Sequence, residues 1–558
     1  MVKKILGFLY GEAGTINQTA LLLGVFAFLS QILAFFRDRL LAHFFGASSE
    51  LDVYYAAFRI PDFIFVTIAS LVSLSVLVPF IVEKENANSE ELKSFLGDIF
   101  SFFTLIITVT CSVVFFLMPW LVSIFFRGLN AADLDSVTLI SRLLLLSPIF
   151  LGFSNLLGSI TQAHNRFVLY AIAPLLYNMG IILGIFFTAE KLGIVGVAIG
   201  VVAGAFMHVA VQAPFVIKEG LWPSFSFRFN TKSIIRVVKI SLPRTLTLSM
   251  SSVVLILLLS FASYLSTGSI SILSFSINLQ SVPLSIIGVS YSLAAFPTLS
   301  RRFQEKNLSA FLEQIQISAR FIIFWSVLVT ALIIILSSQI VRVVLGTGLF
   351  DLNATRLTSV SLSIFVFSSV FQSLLLLFMR GFYSAGYTRA PLIINLFSTF
   401  LTIILGLAFT RLFEFYEHFK TNFISLLGVE GVEGSAVLML PLAYSVGMIV
   451  NCIILWAYFE KEFNGFTQGI YKTLIQSFFA SLALGFTSYS SLGPLGRIFD
   501  TSTTLGLFSQ GLFAGLAGIL MALLILIVFR SPELYLVRDS LTERFWKRGV
   551  IATDPEIV

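Results

Sequence analysis

Charge is what this chain has least of. Asp, Glu, Lys and Arg make up 11% of its 558 residues, against roughly 25% in soluble domains, so a water-soluble globular protein is excluded. Cysteine is almost absent. Cys111 and Cys452 both lie in apolar stretches, so no disulfide framework is implied and both read as small apolar fillers. The four histidines, His43, His164, His208 and His418, are scattered without metal-ligand spacing, and no phosphate-cradling Gly-rich loop ending in Lys-Ser/Thr occurs. Zinc hydrolysis and ATP-driven work therefore find no support. Carboxylates are also missing from the middle of the apolar runs: the 29 Asp and Glu residues fall in expected loops or near expected helix ends. Coupling to a proton or sodium gradient through an acid inside the membrane is disfavoured on that pattern.

What fills the chain is hydrophobic sequence, 57% of residues, including 60 phenylalanines. Runs of about 20 apolar residues cross a bilayer as helices. About fourteen are expected, near residues 17–45, 61–82, 98–126, 137–161, 167–189, 193–217, 240–265, 271–299, 318–344, 357–380, 390–411, 434–457, 472–490 and 504–529. No cleavable signal peptide is evident, and the first run is long enough to remain as an anchor. With the N-terminus in the cytoplasm, alternation through these spans puts 23 Lys and Arg inside and nine outside, leaving Arg59, Arg142 and Arg244 within spans. That asymmetry obeys the positive-inside rule and places the C-terminus in the cytoplasm as well. The formal net charge of +6 is thus a topology signal, not a nucleic-acid footprint.

The chain repeats. APLLYN at 173–178 returns as APLIIN at 390–395, and IILG at 181–184 returns at 403–406. Gly46 and Gly268, Pro61 and Pro283, and Ala163 and Ala385 share an offset of 222. An offset that covers six spans, an even number, gives both halves one orientation, the parallel-repeat plan of some transporters. The expected organisation is a six-helix lobe over 1–217, a cytoplasmic connector over 218–239, a second lobe over 240–457, two further spans over 472–529 and a cytoplasmic tail over 530–558. The later part of the connector reads either as an amphipathic interfacial helix or as a basic linker. Residues 412–432, an outer insertion with aromatics and acids, carry no readable role.

Arginine inside or beside a span is expensive and marks function by default. A guanidinium fork meets an anion such as a phosphate with charge-assisted, often bidentate hydrogen bonds, strengthened where the effective dielectric is low. Arg37, Arg59 and Arg244 are expected to form a cationic site, with Arg244 entering through a helix broken at Pro243. The alternatives remain open: Arg59 snorkelling to the interface, Arg244 as a cytoplasmic topology signal, Arg142 at the interface, and Arg37 in an ion pair with Asp38 or Asp52.

The stretch SQILAFFRDRLLAHFFGASSELDVYYAAFRIPDF at 30–63 resembles the first-span signature of the MurJ/MviN family of lipid II flippases, approximately SR-x-LGF-x-RD…FG-x…D-x-(F/Y)-x-A-(F/Y)-(K/R)-(L/I)-P. NRF at 165–167 and GFYS at 381–384 followed by TRAP at 388–391 extend the resemblance over nearly the whole chain. It implies an all-α polytopic fold of two six-helix lobes around a cavity, plus a final helix pair forming a lipid-facing groove. It also implies a substrate, the undecaprenyl-pyrophosphate-linked peptidoglycan precursor lipid II. Arg37 and Asp38 match the family's RD pair and Asp52 the aspartate before its second span, whereas Gln31, Phe65 and Asn278 stand where the family has arginine.

The resulting expectation is a bacterial inner-membrane flippase, without cofactor, metal or catalytic residues. It would move lipid II outward by alternating access amid membrane lipids and the cell-wall synthesis machinery. Substrate-binding candidates are Arg37, Asp38, Asp52, Arg59, Arg244, Gln31 and Asn278. Rival readings are a flippase for another lipid-linked oligosaccharide, a multidrug exporter of the same superfamily, or a non-transporting scaffold for cell-wall enzymes.

Overall fold

The computed structural model describes residues 16–69, 74–87, 89–226 and 230–545, and every regular element among them is helical. Hydrocarbon leaves no partner for a free backbone N–H or C=O, and a helix satisfies both within one segment. Each apolar run accordingly folds as helix. In chain order these are α1 (Ile16–Phe45), α2 (Ser49–Ile64), α3 (Leu74–Ala87), α4 (Ser89–Phe125), α5 (Ala131–Leu144), α6 (Leu146–Ala163) and α7 (Phe167–Phe187). A single turn at Ala189–Leu192 leads to α8 (Ile194–Ala210), α9 (Ala213–Lys218), α10 (Thr231–Ala262), α11 (Ser269–Pro283), α12 (Ser290–Gln304), α13 (Leu308–Val344) and α14 (Leu352–Ser384). The remainder are α15 (Arg389–Phe415), α16 (Glu417–Leu427), α17 (Met439–Phe463), α18 (Phe466–Ile498), α19 (Thr504–Val528) and α20 (Pro532–Phe545). Among the described residues ten helical segments are long and apolar enough to cross a membrane. Large apolar side chains left bare on them, such as Phe116 and Trp120 on α4 and Leu520 and Val528 on α19, suit lipid rather than water as surroundings.

Local chemistry sets the breaks. Ser48 caps α2 and Asn130 caps α5, each side-chain oxygen accepting a backbone N–H of the first turn. Pro61 lies inside α2, which relaxes into a π-helical stretch at Phe65–Ala69. Its repeat mate Pro283 closes α11, and a π stretch follows at Leu284–Val289. Proline withholds an N–H and crowds the preceding turn, and a widened turn absorbs the misfit. Two local expectations differ from the structure. The backbone of α10 runs through Pro243 as continuous helix, so no break admits Arg244, whose side chain lies outside the described residues. Residues 231–239 are the first turns of that same helix instead of a separate interfacial one.

The chain divides into two compact units. The first takes in the described residues of Met1–Ile277, Val344–Ser361 and Leu392–Gly447, and the second those of Asn278–Val343, Leu362–Pro391 and Met448–Val558. In the second unit α18 and α19 pack through small residues: a Cβ on Gly518 would collide with the Ser488 hydroxyl. Glu533 of α20 is buried there and accepts hydrogen bonds from Thr473 (2.7 Å) and Ser531 (2.9 Å), with Arg320 3.8 Å away. Cys111 and Cys452 are both buried and unpaired.

In the first unit, α7 and α8 meet glycine to glycine. A Cβ on Gly184 would lie 2.6 Å from the Cα of Gly200, and one on Gly180 would run into the Cα of Gly204. Such contact lets two backbones approach far enough for dispersion forces to hold them where no hydrophobic drive exists. Neither backbone can yield to a side chain. Gly200→Val is therefore expected to cost at least the ~1–3 kcal/mol of ordinary overpacking, seen as a lowered melting temperature of the detergent-purified protein. An unchanged melting curve would contradict this packing.

Candidate functional site

The candidate site is built on α1, α2 and α7 of the first unit. Arg37 projects from α1 and is largely covered. Its Nε and Nη2 donate to Oδ1 of Asp38 at 2.9 and 2.7 Å, and its Nη1 donates to Oδ1 of Asn178 at 3.0 Å. Of the two partners open from sequence, Asp38 is the one it takes. Asn178, on α7, also donates to the Ser30 hydroxyl of α1 (3.4 Å) and to the Pro174 carbonyl (3.2 Å). The asparagine of the repeated APLLYN segment thus orients the guanidinium, although nothing in the sequence marks it as a site residue.

Arg59 lies on α2 and turns towards α11. Its Nη2 donates to the Ser274 hydroxyl of α11 at 3.3 Å, while its Nε is buried without a partner. One helical turn away stands Asp62. Tyr54 and Tyr55 lie between the two arginines, within electrostatic reach of Arg37, and Tyr55 of Arg59 as well. Tyr177 on α7 senses both Asp62 and Arg37. The Tyr55 hydroxyl is buried and unpartnered. Beside this group a cavity of 220 Å³ is lined by Phe65, Asn155, Pro174, Tyr177, Asn178 and His208, among others. His208 accompanies Ser154 (2.6 Å), which also takes a hydrogen bond from Gln212.

Asp62 departs from the expectation that acids fall in loops or near helix ends. Hydropathy sets the start of the second apolar run at residue 61, but helix begins at Ser49, so Asp62 falls well inside a helix. Asp38 is buried as well. The cations here are not alone.

Asp52 is absent from this group and instead ties α2 to the start of α11. Its Oδ2 accepts the Gly268 N–H at 2.7 Å, and its Oδ1 accepts the Ser271 N–H at 2.7 Å and the Ser271 hydroxyl. These amides open α11, where a helix terminus presents unpaired donors and partial positive charge. Close approach requires glycine on both sides. Gly46 and Gly268 have φ of +62° and +89°, and a Cβ on either would lie 2.5 Å from the carbonyl oxygen of Leu349 or Ala47 respectively. The offset-222 pair thus serves one purpose twice.

Among the described residues, the other candidates make no hydrogen bond to Arg37 or Arg59. Gln31 is half-buried on α1, and Asn278 belongs to the second unit. Arg142 donates to the Phe115 carbonyl (3.0 Å) and caps that ring. Residues 412–432 include α16, beside a cavity of 1110 Å³ lined in part by Tyr264, Arg411, Glu414 and Lys420. Its cations are engaged by Glu414 and Glu417 on their own segment (3.5 and 3.6 Å), surface pairs of little energetic weight.

Residues 41–499 match the family model described as lipid II flippase MurJ. The chain belongs to the MurJ family. Among relatives, a probable lipid II flippase MurJ of Thermotoga maritima is 26% identical over 502 residues, 88% of this chain and 94% of that one. One of Buchnera aphidicola subsp. Schizaphis graminum is 26% identical over 397 residues, 70% and 77% of the two chains. A solved lipid II flippase MurJ in an inward closed conformation superposes with a TM-score of 0.71 at 22% identity, covering 93% of this chain and all of that one. An inward-facing multidrug resistance MATE family transporter reaches 0.64 at 14% identity, covering 78% and 96%. The protein is therefore a polytopic membrane transporter of the MurJ/MATE fold and not an enzyme.

Removing the Asp52 carboxylate leaves two buried amides without acceptors. Asp52→Ala should weaken this closure by on the order of 3 kcal/mol, since hydrogen bonds to a charged group contribute about 1.5–3 kcal/mol each and water repays part of the loss. A cysteine placed at Ala47 should then react faster with a membrane-impermeant thiol reagent. Equal labelling with and without the substitution would refute the role given to Asp52.

Proposed function

We propose that this protein carries lipid II, or a close lipid-linked pyrophosphate, from the inner to the outer leaflet of the bacterial cytoplasmic membrane by alternating access, with both termini in the cytoplasm. The observation that carries the reading is the pair of largely covered arginines, Arg37 on α1 and Arg59 on α2, near Tyr54 and Tyr55 in a MurJ-family chain. Arg37 is preoriented by Asp38 and Asn178, while Arg59 keeps a spare buried donor. A pyrophosphate presents acceptors that guanidinium groups satisfy with charge-assisted bonds.

In this reading residues 1–217 and 240–457 act as two parallel lobes that rock about the substrate. Residues 472–529 offer the prenyl tail a lipid-facing groove. Asp52, on the first lobe, grips the start of α11 on the second, so its release is the step that opens this end. Arg244 would supply a third cation. Membrane lipids and the cell-wall synthesis machinery are the surroundings this function requires.

Complementation in cells depleted of their own lipid II flippase tests the proposal. Wild type should restore growth and Arg37→Ala should not, at equal abundance in the membrane. Losing bonds worth about 1.5–3 kcal/mol lowers headgroup affinity roughly 10- to 100-fold. Arg244→Ala should also reduce flipping, and full activity in that variant would remove Arg244 from the site. Failure of the wild-type protein itself to rescue would redirect the assignment to another lipid-linked glycan or to an exported compound.

A further inference from the structure

The charges of the candidate site balance. Arg37 is matched by Asp38 and Arg59 by Asp62, so these four residues carry no net charge, and Arg244 as a third cation would still leave a pyrophosphate diester undercompensated. A pyrophosphate diester bears an ionised oxygen on each phosphoryl group, so binding it adds about two negative charges to a region poor in water. Burying uncompensated charge costs several kcal/mol per ion. Either the anion arrives with a cation or the site rejects it.

Asp62 is placed to receive that cation. It is surrounded by much of the first unit yet remains exposed, so it faces an open recess and not the packed core. Among the described residues its carboxylate accepts no hydrogen bond and closes no ion pair, although Arg59 is its charged neighbour. Residues 55, 59 and 62 fall on one helical face. Along that face two polar groups, the Tyr55 hydroxyl and the Arg59 Nε, are buried and unpartnered, as expected of a surface completed by a ligand. Three residues of helix rise span about 4.5 Å. That step lets the guanidinium hold one phosphoryl while a metal ion bridges the other to the carboxylate. Magnesium is ordinarily bound in this way, by one or two carboxylates together with substrate phosphates and retained waters.

We propose that Asp62 and the bound pyrophosphate together hold a divalent metal ion, so that the transporter takes its lipid substrate as the magnesium complex. This rests on the pyrophosphate-lipid reading above. The ion offsets the two negative charges that the pyrophosphate brings, and the unpaired Arg59 Nε and Tyr55 hydroxyl bond the phosphoryl oxygens left free. No group of three or more protein ligands is found among the described residues. One carboxylate is too few ligands to hold magnesium, so the ion needs the substrate's phosphoryl oxygens as well and is confined to the loaded transporter.

The test uses the full-length protein in lipid nanodiscs, with farnesyl pyrophosphate as the probe and binding measured in millimolar magnesium or in EDTA. Wild type should bind at least about tenfold more tightly with magnesium, a difference of about 1.4 kcal/mol. The isosteric Asp62→Asn variant should bind equally well in both conditions. Manganese in place of magnesium should give a protein-bound electron paramagnetic resonance spectrum that needs both the probe and Asp62. The proposal is overturned if magnesium has no effect on wild type, or if its effect survives unchanged in Asp62→Asn, which would place the metal on the ligand alone. Equal, negligible binding by wild type and Arg59→Ala in every condition would instead show that this is no pyrophosphate site. The parent reading would then fall, and this inference with it.

Discussion

Every ion held inside the helical bundle has to be answered by the protein itself, and that requirement shapes the site. Taking a charge out of water costs several kcal/mol even after relaxation, and lipid supplies no compensation. Arg37 meets the requirement with Asp38 and Asn178, and Asp52 with the amides that open α11. Arg59 meets it only in part, through Ser274 and the neighbouring Asp62. The most fully satisfied group is the one that fastens two segments together. The least satisfied, Arg59, is one that the proposed function assigns to the ligand. A transporter needs that inequality, because a site whose donors were all spent on the protein would have nothing to exchange for the substrate.

Asp52 illustrates how a closure is made strong without becoming permanent. Its partners are backbone amides and a hydroxyl, none carrying a full charge. On separation, water can take over both sides, whereas parting a buried ion pair would strand two charges. Charge-assisted hydrogen bonds contribute about 1.5–3 kcal/mol each. A population shift from one state to the other needs only about 5.5 kcal/mol of differential binding. Under the proposed alternating access, this contact is one that substrate binding has to overcome. Its geometry depends on Gly46 and Gly268, whose missing side chains let the loops touch backbone to backbone.

Sequence alone reveals much of this because membrane folding leaves few options. An apolar run in lipid must be helix, and each expected span falls mainly on helix wherever its residues are described. The paired glycines and prolines at offset 222 mark matched left-handed turns and matched π stretches, since those residue types are the ones such backbones demand. Hydropathy reads poorly at polar helix ends. The first turns of α2, with Glu50 and Asp52, look like a loop, which displaces the expected helix start by a dozen residues and hides the interior position of Asp62. Partnerships between distant segments are harder still. Asn178 is visible only as part of a repeated motif, and nothing local announces that it binds Arg37, 141 positions away.

Asp62 stands one helical turn from Arg59, so the proposed anion site has a carboxylate beside its guanidinium. On its own that acid weakens an anion site. As the seat of a cation it strengthens one, because a site that takes its cation from solution needs fewer fixed guanidinium groups and gains from a carboxylate to hold the ion. Fixed arginines bind the anion whether or not anything else is present. A carboxylate that recruits metal makes binding conditional on a cation that enters and leaves with the substrate, and the emptied site returns to a balanced charge. That last property favours the return of an unloaded transporter, since a neutral group moves through a low-dielectric interior at less cost than a charged one.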